Sequence, residues 1–291
     1  MNTAIVRSLL HTKTGMLLLF CVLLAALLAL VAALVAWVNL ALAFMLMAFA
    51  MIFVVGLLLL IYYRLNIEFG IQQEANSHLS FQQSAALQQL LTLIKLRLPL
   101  PPMRLGAASP DVLLLLCKVI LTKQPQTLVE CGAGVSTLVQ GYLIEKLGRG
   151  KLYTLEHDLL WAERVTRWVA EHQLTDYVTI IYAPLTDQRA EGNHVNWYEA
   201  QRVQSLLKTL PPIDFLFVDG PPGETSDVRG PAIPLLRAAL APDAHIILDD
   251  TGRPNERRAA EKWAQQLGYE LELINNEKGA GWLQPRQQTL T

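Results

Sequence analysis

Thr127-Leu128-Val129-Glu130-Cys131-Gly132-Ala133-Gly134-Val135-Ser136-Thr137 is the stretch on which the reading of this chain turns. A short apolar run bounded by glycines predicts a buried strand over Thr127–Cys131. Gly132 and Gly134 permit a tight turn and close approach of a ligand to the backbone. A helix is predicted from Ser136 to Leu147, and its first N–H groups and positive dipole end suit a carboxylate or phosphate. Glu156 stands at the end of the next predicted strand, Lys151–Glu156, where a carboxylate can accept both hydroxyls of a ribose.

Outward from this turn, apolar strands alternate with helical patterns. Helices are predicted over Trp161–His172, Ala232–Leu240 and Glu256–Leu267. Strands are predicted over Tyr177–Tyr182, Ile213–Val218, His245–Asp249, Tyr269–Ile274 and Gly281–Leu283. Such alternation implies an α/β fold, a doubly wound, mostly parallel sheet with helices on both faces. Ligands in these sheets bind beyond the carboxyl ends of the strands. A dinucleotide fingerprint would place a third small residue at position 137, but Thr137 stands there.

With Glu130 two residues before the first glycine and Glu156 closing the next strand, the sequence resembles the class I S-adenosylmethionine (SAM)-dependent methyltransferases. The resemblance runs from about Leu105 to Leu283. It implies a seven-stranded Rossmann-like sheet whose last strand is antiparallel, and SAM as cofactor. It implies that Glu130, Gly132 and Gly134 line the methionine end and that Glu156 grips the ribose. Ser136 and Thr137 at the helix start and Asp219 complete the expected cofactor set. Ala183-Pro184-Leu185 takes the place of the adenine-side segment, and His157 is expected to touch the adenine.

A second motif follows the fourth and fifth strands of that sheet: Val218-Asp219-Gly220-Pro221-Pro222-Gly223 and Leu248-Asp249-Asp250-Thr251. Three carboxylates crowded at one rim need neutralising. A hard divalent cation such as Mg²⁺ on Asp219, Asp249 and Asp250 is one solution, and it would acidify a substrate hydroxyl. This is similar to catechol and caffeoyl-coenzyme A O-methyltransferases, except that Asp250 replaces an Asn. The alternatives are that Asp219 or Asp250 is a general base by itself, or that Asp249 only caps the next helix. The Asp-Gly-Pro-Pro-Gly run is also similar to that of membrane-anchored polysaccharide methyltransferases, which points to a sugar hydroxyl as acceptor. Thr186–Tyr198 reads as a long polar loop beside the site, with Trp197 either stacking on the acceptor or anchoring the following helix. Arg253 is a candidate contact for an acceptor anion.

The N-terminal part is different in kind. Of the 291 residues, 52% are hydrophobic, and no Asp, Glu, Lys or Arg occurs from Thr14 to Tyr63. That run suffices for two membrane helices of ~20 residues each, read as Gly15–Trp37 and Leu40–Tyr63 around a turn at Asn39. It is too long for the apolar core of a signal peptide. Arg7, Lys13 and Arg64 flank it, so both ends are expected in the cytoplasm, at the inner or plasma membrane. From Leu65 onward the chain carries 21 basic and 25 acidic residues, which disfavours nucleic acid as a partner.

Leu65–Leu98 is expected to be an amphipathic connector helix ending near Pro99, packed on the domain, with a homodimer-forming or membrane-lying helix as the alternative. Pro99–Pro102 marks the boundary, and Ser109-Pro110-Asp111 starts the first helix of the domain. The expected organisation is a cytoplasmic N-terminus (1–14), two spans (15–63), a connector (64–104) and a methyltransferase domain (105–291). Cys21, Cys117 and Cys131 show no disulfide or zinc spacing. The functional expectation is a membrane-anchored SAM-dependent methyltransferase acting on a hydroxyl of a glycan, lipid-linked sugar or small molecule. A nicotinamide-dependent oxidoreductase, or a non-catalytic SAM-binding or scaffolding subunit, stands as the alternative.

Overall fold

A computed structural model describes residues 13–36, 40–190, 192–222 and 228–286. It divides into two compact units, Met1–His78 and Leu79–Thr291.

The first unit contains α1 (Lys13–Ala36) and the larger part of α2 (Leu40–Leu93). Both are long and apolar enough to cross a membrane. At ~1.5 Å per residue, α1 alone exceeds the ~30 Å of a bilayer core. Their side chains are largely exposed, among them Phe20, Leu27, Leu34, Phe44, Met51 and Leu58. The expected features at Arg7, Trp37 and Asn39 lie outside the described residues. The second span and the connector share one continuous helix. One helix runs to Leu93, because nothing from Arg64 to Leu93 is a proline or a helix-terminating glycine pair. It stops six residues before Pro99, and four residues on the Arg97 N–H donates to Tyr142 Oη (3.0 Å).

Within the second unit, the end of α2 packs on the domain. Leu90 and Ile94 are buried, and Gln83 Nε2 donates to Asp111 Oδ2 (2.5 Å) at the start of α3 (Pro110–Lys123). Ser109 occupies the N-cap position, but its hydroxyl donates to Asp111 Oδ1 (2.5 Å), and it is that carboxylate oxygen which accepts from Val112 N (2.8 Å).

The main sheet is built from β1 (Thr127–Cys131), β2 (Lys151–Glu156), β3 (Val178–Tyr182), β6 (Ile213–Val218), β7 (Leu240–Asp249), β8 (Tyr269–Ile274) and β9 (Ala280–Pro285). Its order is β3-β2-β1-β6-β7-β9-β8. β9 runs antiparallel to both β7 and β8, and the other pairs are parallel, as the sequence predicts. Helices α4 (Val135–Leu147), α5 (Leu159–Glu171), α6 (Ala200–Leu207), α7 (Ala232–Leu236) and α8 (Pro254–Leu267) complete the unit.

Strand residues alternate between two cores. Leu128, Phe215 and Phe217 face one, with Leu116, Leu138 and Leu143. Val129, Cys131, Leu216 and Val218 face the other, with Trp197, Ile233 and Trp263. Central strands buried on both faces explain why β1, β6 and the end of β7 read as continuous apolar runs.

One expectation fails here. Thr186–Tyr198 is not a loop but a hairpin, β4 (Leu185–Ala190) paired antiparallel with β5 (Asn193–Tyr198) as a separate two-stranded sheet. Gly192, at φ +83°, makes the turn. The polar side chains of β4 hide the strand pattern, and the large side chains that the ribbon buries, Trp197 and Tyr198, stand only at the end of β5.

Candidate active site

The order reverses between β1 and β6, so the switch point lies where their carboxyl ends part. Two glycines meet there. Gly132 has φ +93°, and a Cβ on it would stand 3.0 Å from Gly220 N; one on Gly220 would stand 2.8 Å from Gly132 Cα. The two turns are therefore packed backbone against backbone, which requires glycine at both positions. Gly134 is different. Its backbone is extended, and a Cβ added there meets nothing within 4 Å. That open space adjoins the N-terminus of α4, whose N–H groups begin there.

The polar residues of this turn face inward. Glu130 is fully buried; Oε2 accepts from Thr137 Oγ1 (2.6 Å) and Thr154 Oγ1 (2.8 Å), and Oε1 from Gln140 Nε2 (2.8 Å). Burial pushes its pKa up to about 7, against the pull of the Ser136, Thr137 and Thr154 hydroxyls. Thr137 Oγ1 in turn accepts the Gly134 N–H (3.0 Å). Glu130, Ser136 and Thr137, expected at the cofactor, are all buried at the glycine turn, and Glu130 and Thr137 brace it from beneath. A carboxylate in a solvent-free strand end draws the nearest hydroxyls to itself.

Glu156 fastens the same turn from the β2 side. Its Oε2 accepts from Ala133 N (2.9 Å), and its Oε1 from His157 N (2.7 Å) and Asp158 N (2.9 Å). Burial acts to raise its pKa, but these N–H groups and His157, whose Nδ1 lies 2.8 Å away, outweigh it and hold the carboxylate ionised. The same pairing raises the pKa of His157. A carboxylate has about four acceptor sites, so with three N–H donors in place Oε2 retains capacity for a further donor. Trp161, which the sequence reading passed over, donates from Nε1 to Ala133 O (2.7 Å) and completes the anchorage. Ala183 is fully buried in the core, its N–H on Glu156 O (2.7 Å); it shapes the end of β3 and presents no surface.

The acidic rim departs most from expectation. Arg229, buried to 4% exposure, lies among the three aspartates. Its Nη2 is 2.9 Å from Asp250 Oδ2 and 3.2 Å from Asp219 Oδ1, and donates to the Asp219 carbonyl (2.9 Å); its Nη1 donates to the Asp249 carbonyl (3.1 Å). Burial disfavours the cation, but Asp219, Asp250 and Asp249 together raise its pKa. Asp250, at φ +64°, also pairs with Arg253 Nη1 (3.1 Å), and Lys278 Nζ is 4.0 Å from its other oxygen. Arg253, whose side chain keeps 46% exposure, reaches Asp250 from the rim.

The expected Mg²⁺ cradle is not formed. Among the described residues no three His, Cys, Asp or Glu groups converge as metal ligands. The guanidinium supplies the neutralising charge instead. Among the described residues neither Asp249 oxygen meets a side-chain donor, and burial with neighbouring Asp219 and Asp250 raises its pKa well above the carboxylate range, against the pull of the Asp250 N–H. Burial likewise pushes Asp219 up to about 6, held in check by Arg229. Its side chain keeps 18% exposure, against 5% for Asp250.

Above the glycine pair sits Tyr198, at the end of β5. It is fully buried, and its hydroxyl has no hydrogen-bond partner among the described residues. That oxygen would be 2.8 Å from a Cβ on Gly220. Trp197 is 1% exposed and packs edge-on against Tyr198 at 5.1 Å, so it anchors the hairpin and does not stack on a ligand.

Residues 129–251 match the model of a family described as a methyltransferase domain. Among solved structures, the fold is similar to a methyltransferase from Podospora anserina crystallised with S-adenosylhomocysteine (TM-score 0.50, 13% identity, 75% of this chain and 96% of that one). It is also similar to a putative caffeoyl-CoA O-methyltransferase from Staphylococcus aureus (TM-score 0.47, 14% identity, 76% and 99% covered). A third is the O-methyltransferase TomG from Streptomyces achromogenes, in complex with SAM (TM-score 0.45, 17% identity, 70% and 88% covered). No curated protein sequence matches the chain.

Proposed function

We propose that this chain, a SAM-dependent methyltransferase of the class I fold with its methyltransferase domain over residues 129–251, acts on an oxygen nucleophile. The observation that carries the reading is the set of buried polar groups that find no partner among the described residues where β1, β6 and β7 end: Tyr198 Oη, both Asp249 oxygens and Arg229 Nε. Buried polar groups are almost always paired. Several orphans in one place, beside the open space at Gly134, fit a polar ligand that completes them.

SAM, when bound, supplies an electrophilic methyl group. The chain's own residues then bind and orient. Gly134 would admit the donor close to the backbone, and Glu156, with acceptor capacity left at Oε2, would hold a ribose hydroxyl. Asp219 is the better candidate for general base. Burial raises its pKa and so its basicity, while its side chain keeps more exposure than that of Asp250. The lone pairs of Asp250 are engaged by Arg229 and Arg253.

The two long apolar helices and the basic residues flanking them support an integral membrane anchor with a cytoplasmic catalytic domain. A glycan, lipid-linked or small-molecule hydroxyl near the membrane is the acceptor class that this placement favours.

Titration of SAM and of NAD⁺ into the full chain in detergent tests the reading. SAM should bind and NAD⁺ should not. Glu156→Gln should weaken SAM by about tenfold or more, since one charge-assisted bond to the ribose is lost. Asp219→Asn should retain SAM binding and lose about 10²–10⁴-fold in turnover. Binding of NAD⁺ in preference to SAM would overturn the proposal.

A further inference from the structure

We infer that Arg229 occupies the place a divalent cation would take, so that this methyltransferase assembles its acidic rim without a metal. The inference deepens the methyltransferase reading and rests on it only for its catalytic consequence.

Three carboxylates brought to the ends of β6 and β7 repel one another and cannot all ionise in a buried site without a cation. A metal would satisfy them through oxygen ligands converging on one point. Here the guanidinium reaches both Asp219 Oδ1 and Asp250 Oδ2, at 3.2 and 2.9 Å. It also donates to the main-chain carbonyls of Asp219 and Asp249, tying the two strand ends together as a bridging ion would. Arg253 and Lys278 add positive charge from outside, both toward Asp250. An ion entering this rim would have to displace a buried guanidinium from two carboxylates and two carbonyls. Arginine suits the position because its planar fork can meet several oxygens at once and stays protonated when buried. Arg229 is accordingly a positioning residue: it holds Asp219 in place beside the Gly132–Gly220 contact and keeps Asp250 from competing for the same proton.

The test is cation binding, measured apart from turnover. Mn²⁺ is titrated into the full chain and followed by electron paramagnetic resonance and by the thermal midpoint, with SAM affinity measured in parallel with and without EDTA. The wild-type protein should leave the Mn²⁺ spectrum that of the free ion, with an unchanged midpoint and an EDTA-independent SAM affinity.

Arg229→Ala exposes the three acids to each other. It should take up Mn²⁺, its midpoint rising by about 5 °C or more at a hundredfold excess over Kd. Arg229→Lys, which keeps a cation in place, should not. If Arg229→Ala fails to fold, the wild type and Arg229→Lys still decide. Stoichiometric Mn²⁺ uptake by the wild type that is lost in Asp219→Asn would overturn the inference. So would a folded Arg229→Ala protein that ignores Mn²⁺. Failure of the methyltransferase reading would look different: no SAM binding, whatever the cation result.

Discussion

Glu130 and Asp249 are both fully buried carboxylates at the carboxyl ends of strands in one sheet. Around Glu130 the fold supplies three side-chain donors, from Thr137, Gln140 and Thr154. Around Asp249 it supplies no side-chain donor to either oxygen among the described residues, and places two further acids nearby. The difference separates two uses of the same chemical group. A satisfied buried carboxylate organises the protein; an unsatisfied one is held ready for something that the protein does not itself contain.

The largest expected effect tests that division directly. Glu130→Ala strands three buried donors and should cost about 3–5 kcal/mol. Asp249→Asn removes a source of repulsion, strands no side-chain donor and keeps an oxygen for the Asp250 N–H, so its effect should stay within about 1 kcal/mol and have a stabilising sign near neutral pH. Urea unfolding of both variants measures this. If Asp249→Asn proves as costly as Glu130→Ala, the two sites are alike and the distinction falls.

Titration sharpens the same comparison. Glu130 has its pKa raised from 4.5 to about 7 by burial. The folded state therefore holds more protons than the unfolded state between those values. Its stabilising contribution is complete below pH 4.5 and is lost as pH rises through 7, by about 3 kcal/mol. Asp219 and Asp249 are shifted the same way. His245, depressed to about 4 by burial and the nearby Lys123 charge, acts oppositely, adding stability as pH rises from 4 to 6.5. The measurement is accordingly the difference in unfolding free energy between wild type and Glu130→Gln across pH 4–8. It should slope through that window and flatten above it; a flat difference throughout would show that Glu130 does not titrate there.

How far the sequence carried can be judged on these residues. The sheet was legible because its central strands are buried on both faces and so read as unbroken apolar runs, while Gly148 and Gly268 mark helix ends in left-handed conformation. Glu130, Glu156 and the aspartates were correctly placed at strand ends, but the direction in which a side chain points does not follow from its spacing. Thr137, read as the residue that disfavours a dinucleotide, is also the link between Glu130 and the Gly134 N–H.

The hairpin escaped because Thr186, Asp187, Gln188 and Arg189 give no apolar alternation, though Gly192-Asn193 was a usable turn signal. Arg229 escaped because nine residues, among them two Gly and two Pro, separate it from Asp219 in the sequence. One clue was present: three crowded acids require a cation, and Arg229 is the first basic residue after Asp219. Tyr198 offered none, since its burial depends on a ribbon that the sequence did not disclose.

The glycines of the first turn repeat the comparison at smaller scale. Gly132, at φ +93° and in backbone contact with Gly220, belongs to the fold; Gly132→Ala should cost about 1–3 kcal/mol through left-handed strain and displacement of the neighbouring turn. Gly134 has an extended backbone, and an added methyl group would meet nothing in the protein. Gly134→Ala should therefore change stability by less than about 0.5 kcal/mol. Yet the methyl would project into the space beside the first N–H groups of α4, where the donor is proposed to approach the backbone. Unfolding and SAM titration on this one variant separate the two contributions: an unchanged midpoint with weakened SAM binding places the ligand against Gly134. Unchanged SAM affinity would move the ligand away from the glycine turn and leave the orphaned groups of Tyr198, Arg229 and Asp249 to define where it sits.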